Sequence, residues 1–149
     1  MSNILVQLIR EKIDINDVNE WCTDPKAGAV TIFVGTTRDN FEDENGLKEV
    51  TELSYEADEE LALVELHDIC EEALTKYGGL KACIIHRLDT VSVGEVSIVC
   101  SISTPHRKEG FEACEWMMKD LKKRVPIFKK EVYKQGESVW KENAENFEK

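Results

Sequence analysis

The sequence lacks any apolar run that approaches the roughly 20 residues needed to cross a membrane. Residues 1–10 also lack the basic start, the long apolar core and the small-residue cleavage site of a signal peptide. We therefore expect a protein of the cytosol that makes no membrane contact.

The cysteines are odd in number and scattered along the sequence. The five residues form no CxxC pair, and they are Cys22, Cys70, Cys83, Cys100 and Cys114. Without an export signal, this pattern favours reduced thiols that serve as small core residues. None of them lies beside a histidine or in a basic turn, so a catalytic cysteine is disfavoured.

Motifs for metals, nucleotides and cofactors are missing as well. The sequence contains no P-loop, no GxGxxG fingerprint and no internal repeat. The acidic residues of segment 58–77 show no metal spacing and are interpreted as a solvated helix face, and His67 within them as structural. We expect no metal and no resident cofactor.

The overall balance of charge is acidic, with 30 Asp and Glu against 19 Lys and Arg and a net charge of -11. Such a chain is poorly suited to general binding of nucleic acid.

A length of 149 residues predicts one domain, residues 1–149, that buries on the order of 70% of its unfolded surface.

Positive charge is concentrated in one stretch, from Thr104 to Glu131. This stretch holds eight Lys or Arg and five Asp or Glu, a local balance of +3 that leaves -14 for the rest of the chain. A cationic site set into an anionic protein is better matched to a small anionic ligand than to a polyanion.

The same stretch predicts a helix that begins at the pair His106 and Arg107. Thr104 is expected to cap it and Pro105 to take its first position. A cation in the first turn makes most sense beside a bound anion, so His106, Arg107 and the free backbone N–H groups predict a phosphate or carboxylate pocket. The alternative is that both side chains pair with nearby carboxylates.

The apolar residues of this helix recur at spacings of three and four. They form one stripe, made of Phe111, Cys114, Met118, Leu121 and Val125. Lys122 falls next to this stripe and is therefore expected at the edge of a buried region. Pro126 ends the helix, and Lys129 follows in an extended segment, where it can bind an anion or exchange a proton.

The remaining pattern predicts an α+β fold. Strands are expected at 4–9, 28–35, 48–56, 80–87 and 95–103, with helices at 15–21 and 58–77. Segment 28–35 is predicted to be a buried central strand, and segment 48–56 a bulged or edge strand. Segment 89–94 is predicted to be a turn. Arg38 follows the end of the strand 28–35, where side chains commonly face a ligand, and an ordinary surface arginine is the favoured alternative from sequence alone. It opens a polar loop that extends to Gly46 and is expected to be mobile. Helices do not separate all the strands, so a mixed or antiparallel sheet with two long helices is favoured.

Five ordered motifs between Gly28 and Trp140 then resemble one known family. They are GxxR (35–38), LSYEA (53–57), IxHRL (84–88), SxxHR (103–107) and LKKRVPIFKKEVY (121–133), the last followed by SVW. The set is similar to the large, catalytic subunit of molybdopterin synthase. Two positions depart from the family pattern: the residues after Ala57 are acidic, and Pro105 stands where a small residue is commoner.

The resemblance implies an α/β-hammerhead-like fold and a homodimer that forms the core of a heterotetramer. It implies a small ubiquitin-like partner whose C-terminal Gly-Gly tail is a thiocarboxylate. The implied reaction transfers two sulfurs to cyclic pyranopterin monophosphate, which opens its cyclic phosphate and forms the dithiolene of molybdopterin. A non-catalytic scaffold that binds such a tail is one alternative. A phosphate-ester hydrolase is a second, disfavoured because the sequence shows no metal cluster and no activated nucleophile.

The resemblance also implies roles for five residues. Lys122 and Lys129 correspond to the two catalytic lysines, and both are expected to bind substrate. Arg38, His106 and Arg107 correspond to the pocket for the substrate anion. A thiocarboxylate sulfur needs no protein cysteine as nucleophile, which agrees with the scattered cysteines.

Overall fold

The computed structural model describes residues 2–44, 46–134 and 138–142. Within them, the elements follow the order β1 (Ile4–Ile9), α1 (Ile15–Cys22), β2 (Ala29–Thr36), β3 (Asn40–Asp43), β4 (Gly46–Ala57), α2 (Glu59–Tyr77), β5 (Lys81–Arg87), β6 (Asp89–Ser92), β7 (Val96–Thr104), α3 (Arg107–Arg124), β8 (Ile127–Tyr133) and β9 (Ser138–Glu142). No helix in this part of the chain is long and apolar enough to cross a membrane. The turn predicted at Gln135 and Gly136 and the anchor predicted at Phe147 lie outside the described residues.

The first sheet has the strand order β1-β5-β7-β2. Its β1 and β5 run parallel, while β5 with β7 and β7 with β2 run antiparallel. The predicted α+β class with a mixed sheet is therefore confirmed. The expected central position of the strand at 28–35 is wrong, because β2 lies at the end of this order and its Phe33 is 42% exposed. A continuous apolar run occurs in strands that a helix buries on one face as well as in strands buried on both faces. Such a run therefore does not show that a strand is central in its sheet.

The second sheet has the order β3-β4-β8-β9, and β6 pairs with β4 beside this path. The expected bulge is confirmed, since the register between β4 and β8 shifts between Val50 and Glu52. Two other predictions are wrong. The segment predicted as a polar loop contains β3, which forms a hairpin with β4, and the segment predicted as a turn contains β6. In β3 the polar composition misled the prediction, because backbone pairing places no demand on side-chain hydrophobicity. In β6 only Val91 is buried, and a strand of four residues leaves too short a pattern to detect.

Helix α2 matches its predicted bounds. Asp58 caps it by accepting a hydrogen bond from the Leu61 N–H, and Gly78 ends it in the left-handed conformation, which costs glycine little. The apolar pattern of this segment predicts a buried side made of Leu61, Val64, Leu66, Ile69, Ala73 and Leu74. The prediction is confirmed for Leu66, Ile69 and Ala73, Leu74 is partly buried, and Leu61 and Val64 are exposed. The buried face is instead completed by two smaller residues, Ala62 and Cys70.

Helix α3 starts where predicted but not for the predicted reason. Thr104 is the last residue of β7, and its hydroxyl donates to the carbonyl of His106 at 2.7 Å instead of capping the helix. The cap position is His106, whose side chain makes no capping hydrogen bond, and Pro105 precedes it. Strand pairing of Thr104 with Ala29 extends β7 through the position where the cap was expected.

The two long helices pack on the first sheet and share its core. The predicted stripe of α3 is confirmed for Cys114, Met118, Leu121 and Val125, which are all buried. The prediction is wrong for Phe111, which is 64% exposed. Ala113 and Met117 fill the core in its place. Gly110 allows the helix to approach β2 closely, since an added Cβ there would lie 2.3 Å from the Thr31 hydroxyl oxygen.

Candidate active site

A cavity of about 500 Å³ lies where the two sheets meet the C-terminal end of α3. Strand β2 and the segment after it form one wall, and the paired strands β4 and β8 form the facing wall. Its lining includes Phe33, Arg38, Tyr55, His86, Ser97, Met118, Lys122, Lys129 and Glu131. Residues from six parts of the chain therefore converge on one space.

Three of the five residues singled out in the sequence line this cavity: Arg38, Lys122 and Lys129. Lys122 is half-buried in the last turn of α3, where the helix dipole favours a cation. Lys129 is on β8 directly opposite Tyr55 of β4. Three cations from distant segments thus face one volume, which suits a ligand with more than one anionic group.

The other two, His106 and Arg107, do not line this cavity within the chain. Both are exposed at the start of α3, and a rise of about 1.5 Å per residue puts Arg107 roughly 22 Å from Lys122 along the helix. In the part of the chain that the structure describes, neither side chain makes an ion pair within 4.0 Å, so the carboxylate pairing considered as an alternative is not seen. Their role as anion ligands stays a prediction.

Glu131 is a cavity residue that the sequence analysis missed. It is 2% exposed, and the Tyr133 hydroxyl donates to its Oε2 at 3.1 Å. Lys129 and Glu131 lie two residues apart on one strand, so their side chains leave the same face. This spacing was the signal that would have revealed Glu131. Its carboxylate adds one negative charge among the three cations.

His86 is the second residue that was missed, although it belongs to the IxHRL motif. Its ring is 4% exposed and packs edge-on against Tyr55, with 4.8 Å between the ring centroids and an angle of 71°. Nδ1 lies 2.7 Å from the carbonyl oxygen of Arg87. Burial lowers the pKa of His86, the hydrogen bond to the Arg87 carbonyl opposes this, and the charge of nearby Lys122 acts in the same direction as burial. The resulting pKa is about 4, so the ring is neutral near pH 7.

The neighbouring Tyr55 is also neutral. Burial raises the pKa of its hydroxyl above the ordinary value, and the charge of Glu131 acts in the same direction. Two neutral, polar aromatic side chains therefore stand beside the charged residues of the cavity.

A second, shallower groove of about 380 Å³ continues from the cavity between β2 and α3. Phe33, Met118 and Lys122 line both spaces, so Lys122 lies at their junction. Ile32 and Phe111 make the outer part of this groove apolar. An extended segment of another molecule fits such a groove better than a compact polar metabolite does.

All five cysteines are free and buried, which confirms their expected place in the core. Burial raises the pKa of the Cys83 thiol to about 12 and that of Cys70 well above its usual range. None of the described residues that line the main cavity is a cysteine. Thiolate chemistry by Cys70 and Cys83 is therefore disfavoured.

One group of potential metal ligands lies elsewhere, on the outer face of α2. His67, Asp68 and Glu71 bring three ligand atoms within 4.8 Å of one another, and all three residues are exposed. The sequence pattern of this segment did not predict ligand spacing. Exposed acidic groups of this kind are common on helices, and the expected absence of a metal stays a prediction.

Comparison with known proteins agrees with this arrangement. Residues 8–124 match the model of the family described as MoaE protein. The chain belongs to the MoaE protein family. The resemblance noted in the sequence is thereby confirmed, since relatives in this family carry the name of the catalytic subunit of molybdopterin synthase.

Two relatives and one solved structure illustrate the MoaE likeness. A molybdopterin synthase catalytic subunit from Culex quinquefasciatus is 45% identical over 148 residues, which cover 97% of this chain and 92% of that protein. The subunit of the same name from Arabidopsis thaliana is 42% identical over 97% of this chain and 72% of its own length. The crystal structure of molybdopterin synthase from Staphylococcus aureus superposes with a TM-score of 0.83 at 28% identity, covering 96% of this chain and 99% of that one.

Proposed function

We propose that this chain is the catalytic subunit of a molybdopterin synthase. In this reaction, sulfur passes from the C-terminal thiocarboxylate of a small ubiquitin-like subunit to cyclic pyranopterin monophosphate. Two sulfurs are added, the cyclic phosphate opens, and the dithiolene of molybdopterin forms. Membership of the MoaE family supports the reaction class, and the relatives described above carry the corresponding name.

The observation that carries the proposal is the meeting of Arg38, Lys122 and Lys129 on one cavity. Both reactants are anions: one ends in a thiocarboxylate and the other carries a phosphate. A cavity lined by three cations in a chain of net charge -11 concentrates such ligands at one place. The sulfur arrives as a thiocarboxylate, so the reaction needs no cysteine from this chain.

Within this proposal the two lysines are the catalytic residues. Lys122, at the junction of cavity and groove, attracts the end of the partner's tail and stabilises the charge that develops during attack. Lys129 acts as an acid or base, or holds the phosphate. Arg38 binds the substrate anion with its planar guanidinium group.

In this proposal, His106 and Arg107 bind the substrate anion in the cavity of the second copy of a homodimer. The two residues are exposed and about 22 Å along α3 from Lys122, so a site made by one chain does not contain them. In a dimer with two-fold symmetry, the start of α3 in one copy can face the cavity of the other. The substrate phosphate would then be held between two chains.

The proposal also includes the small partner, a single domain over residues 1–149 and a cytosolic location. The apolar groove beside Lys122 fits an extended tail, and five buried free thiols suit a reducing compartment. Among solved relatives, a structure from Helicobacter pylori is a complex of subunits 1 and 2 of molybdopterin-converting factor, with a TM-score of 0.72 at 22% identity. That likeness supports the fold alone.

The test supplies the full chain with cyclic pyranopterin monophosphate and the thiocarboxylated small subunit, and it measures dithiolene formation. Product with the thiocarboxylate, and none with the ordinary carboxylate form, is the expected result. Binding of the partner without product would instead identify a non-catalytic scaffold. Phosphate release without sulfur transfer would identify a hydrolase.

A further inference from the structure

We propose that His86 is a specificity-determining hydrogen-bond acceptor, whose Nε2 binds the last peptide N–H of a C-terminal tail that ends at Lys122. This inference rests on the proposed function, because it names a recognition contact for the partner within the same cavity. His86 has no role in the family resemblance described above, and the charge pattern of the chain does not point to it.

The hydrogen bond made by Nδ1 decides which nitrogen can accept. The carbonyl of Arg87 has only lone pairs to offer, so Nδ1, 2.7 Å away, must carry the ring proton and donate. In a neutral imidazole the other nitrogen then has a free lone pair. The low pKa of His86, about 4, supports a neutral ring throughout the physiological range.

The ring is also held in place. His86 is in β5, an inner strand of the first sheet, where its backbone pairs with Leu8 of β1 and Ile98 of β7. Tyr55 packs against the ring from the second sheet. With Nδ1 committed to Arg87, Nε2 is the ring nitrogen that remains for a ligand in the cavity that His86 lines.

The chemistry of the cavity explains why an acceptor matters. The side chains of Arg38, Lys122 and Lys129 are donors only, and they suit the anionic parts of a ligand. Among the ring and charged side chains that line this space, His86 and the hydroxyl of Tyr55 offer acceptors without negative charge, and Nε2 of His86 differs from that hydroxyl because it has no proton to donate. A neutral acceptor binds an N–H group without also attracting a cation, which distinguishes it from the carboxylate of Glu131.

The position of Lys122 favours a tail as the source of that N–H. Its charge is near enough to His86 to lower the pKa of the ring. In a terminal residue, the peptide nitrogen is only about 2.5 Å from the carboxyl carbon, as bond lengths and angle dictate. A tail whose terminal anion is held by Lys122 therefore brings its last N–H to the wall that contains His86.

Paired substitutions separate this role from a structural one. His86→Gln keeps an amide near the position of Nε2, whereas His86→Asn keeps one near Nδ1, where it can still donate to Arg87. We measure the Kd of the small subunit in its carboxylate form by calorimetry, with melting curves for every variant. The expected result is a Kd within about threefold of wild type for His86→Gln and about tenfold weaker for His86→Asn.

A purely structural histidine predicts the opposite order, because His86→Asn preserves the bond to Arg87 and His86→Gln does not. That order, or equal affinities for all three proteins, would overturn the inference. His67→Asn, an exposed histidine on α2, is the matched control and should bind as wild type does.

A second measurement changes the ligand instead of the protein. Replacing the terminal glycine of the small subunit with glycolate substitutes an ester oxygen for the last N–H. This change should weaken binding to wild type about tenfold and binding to His86→Asn much less, because the two changes remove the same hydrogen bond. Equal losses against both proteins would contradict the contact.

The outcomes also distinguish this inference from the proposed function. If wild type forms dithiolene and His86→Asn binds the tail normally, only the inference fails. If wild type binds the tail with the expected His86 dependence but forms no dithiolene, only the proposed reaction fails. No binding of the small subunit by wild type overturns both.

Discussion

The two ends of helix α3 carry similar residues and have different surroundings. His106 and Arg107 at its start are exposed, although the N-terminal end of a helix attracts anions. Lys122 at its other end is half-buried, and it shares a cavity with Arg38 and Lys129 from separate elements.

This difference shows that a local signal for anion binding is not by itself a site. A helix start offers partial positive charge to solvent, but ligand selectivity requires walls that exclude water and donors from several directions. Only the C-terminal end of α3 meets both sheets. The start of α3 can gain such walls only from another molecule, and a second copy is the one included in our proposal.

Removing the lysine at the enclosed end should have the largest effect. We expect Lys122→Ala to slow dithiolene formation by about 10²–10³-fold, because it removes a donor aimed at developing charge. Lys123→Ala is the matched control, since Lys123 is exposed and should be dispensable. A Lys122→Ala protein as active as wild type would contradict the catalytic assignment.

The two ends also differ in packing, which a pair of truncations tests. Met117→Ala should lower the free energy of unfolding by about 2–5 kcal/mol, because Met117 is fully buried. Phe111→Ala should change it by less than about 0.5 kcal/mol, because most of that ring is exposed. Urea melts give both values. A large loss for Phe111→Ala would indicate that another copy covers this ring in solution.

The enclosed end should also make stability depend on pH through His86. Its folded pKa of about 4 is below the unfolded value of 6.5, so the unfolded chain takes up the proton more readily. The contribution of this neutral ring is complete above about pH 6.5 and is lost as the pH falls towards 4, by about 3 kcal/mol. The difference between wild type and His86→Gln, measured by urea melts from pH 4 to 7.5, should shrink accordingly. A difference that does not vary with pH would contradict this.

The smallest effect expected is partial rescue between two inactive proteins. If Arg107 acts across a homodimer, each site combines Lys122 of one chain with Arg107 of the other. Lys122→Ala and Arg107→Ala then remove residues that the two chains contribute to the same site. Random mixing of their chains, by unfolding and refolding together, should restore about a quarter of wild-type activity, because half of the dimers regain one intact site. A mixture no more active than its components would place Arg107 outside the site.

Much of the fold follows from local patterns. Helix α2 was predicted over residues 58–77 with a glycine stop, and the structure has it over Glu59–Tyr77 with Gly78 at its end, because helix ends depend on residues adjacent in sequence. The bulge in β4 was also expected from the broken alternation around Val50. The same reasoning failed for β3 and β6, which are strands because β4 supplies their hydrogen-bond partners.

The site was predictable where charge or a family motif singled out a residue. Lys122 was expected at a buried edge from helical spacing alone, and it lies there. Glu131 and His86 were missed for a different reason. The spacing from Lys129 puts Glu131 on the same face of β8, but it does not show that this face lines a cavity. Only the packing of the two sheets brings His86 of β5 and Tyr55 of β4 into contact.

The sequence by itself determined the helices, most strands, the acidic character, and the cationic stretch from Thr104 to Glu131, because these depend on residue type and on spacing within one element. The tertiary structure decided that β2 lies at the edge of its sheet, and which cations share a cavity. It also decided that His86 stays neutral, since desolvation and contacts between distant strands exist only after the sheets have packed.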